Sequence, residues 1–278
     1  MTRQLLNVCS LDETTIQTMK KKRWNKHKTK KMYSKTSEQN KKYINKLIDA
    51  KKKTQIIPLK IIQVWHDKNN IPKSVKESIE LIKEQNPEFK YTLFEENEWE
   101  KFIKNNYSKR ILDAYHSVVP YAIKADLFRY CYLYKNGGIY LDSKYYGING
   151  FKFILLTDKE YFCKDVATSF NGIYNAIIIC KPKNKILLRA INECVKNIEN
   201  EYYGGTGHCP TGPLMLKQLF TINKIRNLEL THEYVNKSTR FVLFNKHRIL
   251  KYHEDYKKEN EQKFDHWSFY WKNKTMYK

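Results

Sequence analysis

Apolar residues along the chain recur with two different spacings, and the switches between them mark out its elements. From Lys60 to Trp65 the chain runs Lys-Ile-Ile-Gln-Val-Trp after Pro58, a β-branched stretch that predicts a buried strand. Asp67-Lys68-Asn69-Asn70 follows as a turn. Ser74 and Glu77 have capping-box spacing, and Val75, Ile79 and Ile82 fall at helical intervals, so a helix is expected to stop before Pro87. Lys90 to Phe94 predicts a second strand, and Trp99, Phe102, Ile103 and Tyr107 a second amphipathic helix. This strand–helix order predicts an α/β fold with a Rossmann-like, mostly parallel sheet flanked by helices.

A helix is expected to open at Pro120, because proline suits a first helical turn. Ile123, Leu127, Cys131 and Tyr134 supply its core-facing stripe, and Gly137-Gly138 its stop. Ile139-Tyr140-Leu141-Asp142 then reads as a strand ending in an acid. Later, Asn175–Cys180 predicts a strand, Ile186–Val195 a helix, Pro213–Phe220 a helix, and Phe241–Phe244 a strand. An aromatic cluster, His266 to Trp271, lies near the C-terminal end.

The length of 278 residues suits one sizeable domain, and 21 Tyr and 13 Phe predict an aromatic core. Nothing approaches an eighteen-residue apolar run, so neither a membrane-crossing helix nor a cleaved secretory leader is expected. The six cysteines form no CxxC or knuckle spacing and read as free thiols. The net charge is +23, yet residues 1–55 alone hold 16 Lys/Arg against 4 Asp/Glu. That split predicts a basic N-terminal extension over 1–55, partly helical or disordered, before a globular domain over 56–278. Such an arm suits anionic membrane or nucleic acid, although AT-rich coding also favours a Lys/Asn-rich composition.

Asp126 and Arg129 are three residues apart on the helix, off its apolar stripe. Asp142 ends the following strand, at the sheet edge where open α/β sheets bind ligands. The spacing admits two readings: three polar groups facing one cleft, or an Asp–Arg pair that pins the helix to the sheet.

The stretch from Tyr121 to Tyr130, then Leu133 to Asp142, resembles the DXD-containing sugar-binding region of glycosyltransferase family 32, which includes Och1-like mannosyltransferases. The glucosylating clostridial toxins share a related motif. Gln63-Val64-Trp65, Thr211-Gly212-Pro213 and His266-Trp267 resemble further family elements. The resemblance implies a GT-A-type nucleotide-sugar-binding fold. The implied activity moves a hexose, with retention, from a UDP- or GDP-sugar to a glycan or protein acceptor. It implies that Asp126 and Arg129 bind sugar hydroxyls and the sugar–phosphate linkage, and that Asp142 contacts ribose and sugar. It further implies that Trp65 borders the base, and that Gly137, Gly138, Tyr140, His266 and Trp267 contribute to donor binding.

The family's D-x-D reads Asp142-Ser143-Lys144 here. Lysine offers no oxygen to a hard cation. One expectation is therefore a metal-free enzyme in which Lys144 faces the diphosphate. The alternatives are Mn or Mg held by Asp142 and His266, aided by Asp67 or Asp158, or a degenerate protein that binds without transferring. A basic nucleic-acid-binding protein is the competing class, though zinc ligands and RNP-like aromatics are absent from the basic run. The Lys/Asn-rich style resembles members encoded by large DNA viruses or bacteria, which implies work in the cytoplasm.

Overall fold

The computed structural model describes residues 49, 53–166, 171–236, 238–260 and 266–278. The expected extension over 1–55 lies almost wholly outside the described residues. In chain order the strands are β1 (Lys60–Val64), β2 (Lys90–Phe94), β3 (Gly138–Leu141), β4 (Tyr145–Gly147), β5 (Tyr161–Asp165), β6 (Ile173–Cys180), β7 (Leu230–Tyr234), β8 (Arg240–Phe244) and β9 (His247–Tyr252). The helices are α1 (Lys73–Gln85), α2 (Glu96–Asn106), α3 (Lys109–His116), α4 (Tyr121–Asn136), α5 (Lys185–Glu199), α6 (Pro213–Gln218), α7 (Ile222–Arg226), α8 (Tyr256–Asn260) and α9 (Trp267–Lys272). Among the described residues, no helix is long and apolar enough to cross a membrane. The five described cysteines are free, and all but Cys209 are buried.

One sheet runs in the order β2-β1-β3-β6-β5-β7-β8-β9-β4. The α/β class is as expected, but the sheet is mixed rather than mostly parallel. β1 is parallel to β2 and β3, and β5 to β7, while the remaining neighbours are antiparallel. Connection length explains this for the sequence-adjacent pairs β5–β6, β7–β8 and β8–β9, since a parallel pair needs a crossover and a short connection does not provide one. β1 and β2 are joined through α1. β8 and β9 are joined only by Asn245-Lys246, both at positive φ, the conformation of a tight hairpin.

The two faces of the sheet bury separate cores. Ile62, Tyr140, Phe162, Ile178 and Cys180 pack against α4, α5 and their neighbours. Ile61, Ile139, Leu141, Ile177 and Ile179 face Ile82 of α1, the 3-10 turn Phe153–Leu156, and Val242, Leu250 and Tyr252. In β3 the alternation is strict, so residue 142 continues on the face of Tyr140, toward α4. In β6 it breaks. Pairing with β5 jumps from Phe162↔Ile178 to Cys163↔Tyr174, a bulge that turns Asn175 toward α4 and Tyr174 toward the opposite face.

α4 starts after Pro120, which is its N-cap rather than a first-turn residue. Its burial extends beyond the expected stripe to Phe128, Arg129, Tyr130 and Leu133, because other helices cover its flanks. The Ser74/Glu77 capping box does not form. Ser74 lies inside α1, and its N–H and hydroxyl both donate to Glu259 Oε2, at 2.9 and 2.7 Å. The carboxylate of α8 therefore supplies the negative charge favoured at a helix N-terminus.

Gly137 ends α4 at φ +62°, and Gly138 opens β3 at φ +109°. A Cβ on Gly138 would lie 2.8 Å from the Lys60 carbonyl oxygen. The glycine lets β3 lie against β1 at a backbone angle that side chains disfavour. Gly138→Ala is expected to cost about 2 kcal/mol or more in urea unfolding. An unchanged midpoint would show that the strand junction tolerates a side chain.

Candidate donor-binding site

The carboxyl ends of β1, β3, β5 and β7 share one sheet edge with the starts of β4, β6 and β8, as the strand directions require. Arg129 reaches this edge from α4. Its Nε donates to the Ala125 carbonyl at 3.2 Å, and its Nη1 to the Asn175 carbonyl at 2.8 Å and Asp142 Oδ1 at 3.3 Å. Its Nη2 lies 3.2 Å from Asp126 Oδ1, and its guanidinium carbon 4.2 Å from the centre of the Tyr140 ring. The helix is thereby pinned to the sheet, and the same contacts gather three charges at one place. The pinning reading of the spacing holds. The guanidinium does not offer the free fork expected for phosphate, because at most a single N–H of Nη2 is left over.

Asp126 Oδ1 accepts from Asn175 Nδ2, and Oδ2 from the Thr211 hydroxyl, both at 2.8 Å. Asp142 Oδ1 accepts from the Tyr140 hydroxyl at 2.8 Å, and Oδ2 lies 3.1 Å from Lys144 Nζ. An ionised carboxylate accepts about four hydrogen bonds. Each acid therefore keeps acceptor capacity beyond its Arg129 contact and these bonds. Their side chains are 14% and 16% exposed, and that of Lys144 is 27% exposed, so the group is open to solvent on one side. Two acids with spare acceptor capacity suit sugar hydroxyls, which donate.

The two acids titrate in opposite directions. Burial pushes Asp126 above the usual carboxylate range, more than Arg129, Thr211 and Asn175 pull it down. Burial also acts upward on Asp142, but Lys144, Arg129 and Tyr140 together hold it below that range. Burial opposes the Lys144 charge, yet the Asp142 carboxylate and nearby tyrosines keep its pKa above the ordinary lysine value.

The remaining expected residues are spread more widely. Gly137 and Gly138 lie at the far end of β3 from Asp142 and serve its packing. Tyr140 is fully buried and orients Asp142 and Arg129 from beneath. Trp65 is 8% exposed, donates its indole N–H to the Asn70 carbonyl, and meets the Tyr256 ring edge-on at 6.3 Å. Tyr256 in turn lies 5.6 Å from Lys144 Nζ, so Trp65 borders the site through that ring. His266 caps α9 and accepts from Ser268 N–H. Burial and the positive charge of Lys144 lower its pKa. Trp267 packs against His208 at 4.8 Å and closely against Gly207. His266 and Trp267 thus edge the site beside the loop that ends in Thr211.

The donor set does not fit the divalent cation that the resemblance implies. Among the described residues, no three His, Cys, Asp or Glu side chains gather as a metal site. Asp67 caps its own turn through Asn69 N–H, and Asp158 accepts from the Tyr161 hydroxyl. Lys144 occupies the outer oxygen of Asp142. Like unit charges about 4 Å apart repel by about 4 kcal/mol at the effective dielectric of a protein surface, and a dication doubles that.

Sequence reasoning did not place Asn175, Tyr130 or Thr211 in the site. Asn175 also donates to the Tyr130 hydroxyl at 3.0 Å, and Tyr130 donates to the Thr211 carbonyl at 2.9 Å. The Thr-Gly-Pro resemblance was a signal for Thr211. On the other face of β6, the Tyr174 hydroxyl lies 2.7 Å from that of Tyr145. The Tyr174 ring stacks on His232 at 3.8 Å, and His232 Nδ1 lies 3.0 Å from Asp165 Oδ1.

Residues 72–145 match the family model described as the glycosyltransferase sugar-binding region containing DXD motif. An uncharacterized glycosyltransferase of Acanthamoeba polyphaga mimivirus is 35% identical over 88 residues, 31% of this chain and 35% of the relative. The mannosyl phosphorylinositol ceramide synthase of Saccharomyces cerevisiae is 29% identical over 174 residues, 62% of this chain and 44% of the relative. The chain therefore spans less than half the length of either relative. Among solved structures, the PaToxG glycosyltransferase superposes with a TM-score of 0.49 at 18% identity, covering 67% of this chain and 80% of that one.

The opposed titrations predict opposed stability effects. Asp142, with a depressed folded pKa, stabilises the fold above its unfolded pKa and loses that contribution as pH falls through the folded value. Asp126, with a raised folded pKa, costs stability that is absent below the unfolded pKa, grows as pH rises from there, and is complete above the folded value. In urea unfolding at about pH 7, Asp142→Asn is expected to cost about 1–3 kcal/mol, and Asp126→Asn less or nothing. The Asp142→Asn deficit should shrink in acid. A larger loss for Asp126→Asn than for Asp142→Asn would contradict the assignment.

Proposed function

We propose that this chain, whose residues 72–145 match the glycosyltransferase sugar-binding region model, transfers a hexose from a nucleoside-diphosphate sugar on a GT-A-type fold without a metal ion. The supporting observation is the Asp126–Arg129–Asp142–Lys144 group, joined by contacts of 3.1–3.3 Å at the carboxyl edge of the sheet. Asp126 and Asp142 accept hydroxyls of the donor sugar and ribose. Arg129 sets the distance between the two acids, and its remaining N–H faces the sugar–phosphate linkage.

Lys144 stands where the motif's second acid is expected. Its ammonium keeps its proton and faces the diphosphate as a point charge. Negative charge grows on the diphosphate as the glycosidic bond breaks, and a fixed cation stabilises that change. The base lies along Tyr256 and Trp65, beyond Lys144. His266 and Trp267 edge the opening on the other side. The resemblance favours retention, with the acceptor attacking on the face the diphosphate leaves. The protein then contributes position and charge rather than a covalent nucleophile.

A panel of UDP- and GDP-sugars with and without EDTA tests this by nucleotide release. A mannose donor belongs in it, because the name of the yeast relative includes a mannosyl group. Release that EDTA leaves intact and Lys144→Ala lowers about 100-fold or more is expected. Release that requires added Mn would sink the metal-free mechanism. Binding of a donor with no release in the presence of varied glycan and protein acceptors would make the protein a binder only.

A further inference from the structure

The four charges of the donor site compensate one another: Asp126 and Asp142 against Arg129 and Lys144. A further guanidinium stands at the same edge. Arg240 opens β8, and among the described residues no carboxylate forms an ion pair with it. Its Nε is buried without a hydrogen-bond partner. A buried donor left unpaired costs stability, and in a native protein it calls for an explanation.

The strand register explains why Arg240 belongs to this site. β9 lies between β8 and β4 in the sheet. Tyr252 of β9 pairs with Tyr145, which follows Lys144, and Lys251 pairs with Phe241, which follows Arg240. The two cations therefore flank Tyr252 from its neighbours on either side. Arg240 lies 5.0 Å and Lys144 Nζ 5.9 Å from the centre of that ring, so they are no farther apart than those two distances combined. Beyond burial, both charges lower the pKa of His266.

We infer that Arg240 is the second cation of the diphosphate site, binding with Lys144 across Tyr252 the two phosphates of a nucleoside diphosphate. This rests on the proposed function and deepens it. Lys144 is paired with Asp142 and alone balances a diphosphate poorly. Arg240 supplies the uncompensated charge and a planar set of donors that fits phosphate oxygens. A lone arginine nearly a hundred residues after the motif gave no sign of this in the sequence.

Calorimetric titration of the full chain with UDP, GDP, UMP and GMP, in EDTA, tests the assignment. Arg240→Gln is expected to weaken the preferred diphosphate about 10- to 100-fold and the matching monophosphate distinctly less. Arg240→Lys should recover only part of the loss, because it restores the charge but not the planar donors, and matching thermal midpoints would show that the variants fold. Arg240→Gln binding the diphosphate as tightly as the unchanged protein overturns the assignment alone. An equal loss for monophosphate and diphosphate also overturns it. If the unchanged chain binds neither diphosphate, the donor-site reading fails, and this inference fails with it.

Discussion

The architecture of the site depends on one buried guanidinium. Arg129 is 6% exposed, and its contacts reach a helix carbonyl, a strand carbonyl and two carboxylates from different elements. A buried charge of this kind is tolerated only where its hydrogen bonds are satisfied and its counter-charge is close. Here α4, β3 and β6 each provide part of that environment, so their relative positions are linked through it. The ring of Tyr140 beneath the guanidinium adds a cation–π contact of about 1–2 kcal/mol. Structural tie and candidate ligand site are thus one group of atoms.

The substitution at residue 144 changes the site without disturbing that tie. Lys144 engages the oxygen of Asp142 that faces away from Arg129. The inner oxygen keeps its bonds to Arg129 and Tyr140. Charge at the mouth of the site has therefore moved from acidic toward basic while the buried side is unaltered. The Lys144 ammonium holds its charge throughout the physiological pH range.

Much of this was legible in the sequence, and the illegible parts share a cause. The strand–helix order through β2, the buried α4 and the acid after β3 follow from local periodicity and from the Gly137-Gly138 stop. What local patterns do not encode is pairing across long stretches of chain. The antiparallel pairs β3–β6 and β4–β9 bring together strands far apart in the chain, and the negative charge at the start of α1 comes from Glu259 rather than Glu77. Asn175 was read as part of an apolar strand, since strict alternation would place it beside Ile177 and Ile179, away from α4. Thr211 reaches Asp126 from a loop whose position only the packed structure defines.

The bulge in β6 has a consequence for how such a protein can change over time. Strand residues usually exchange side chains freely while their number stays fixed, and here the number itself sets which face each one meets. Losing one residue between Tyr174 and Ile178 would swap an amide for a phenol beneath Asp126, with every neighbouring codon intact. Drift by substitution is therefore far gentler on this strand than drift by a change of length.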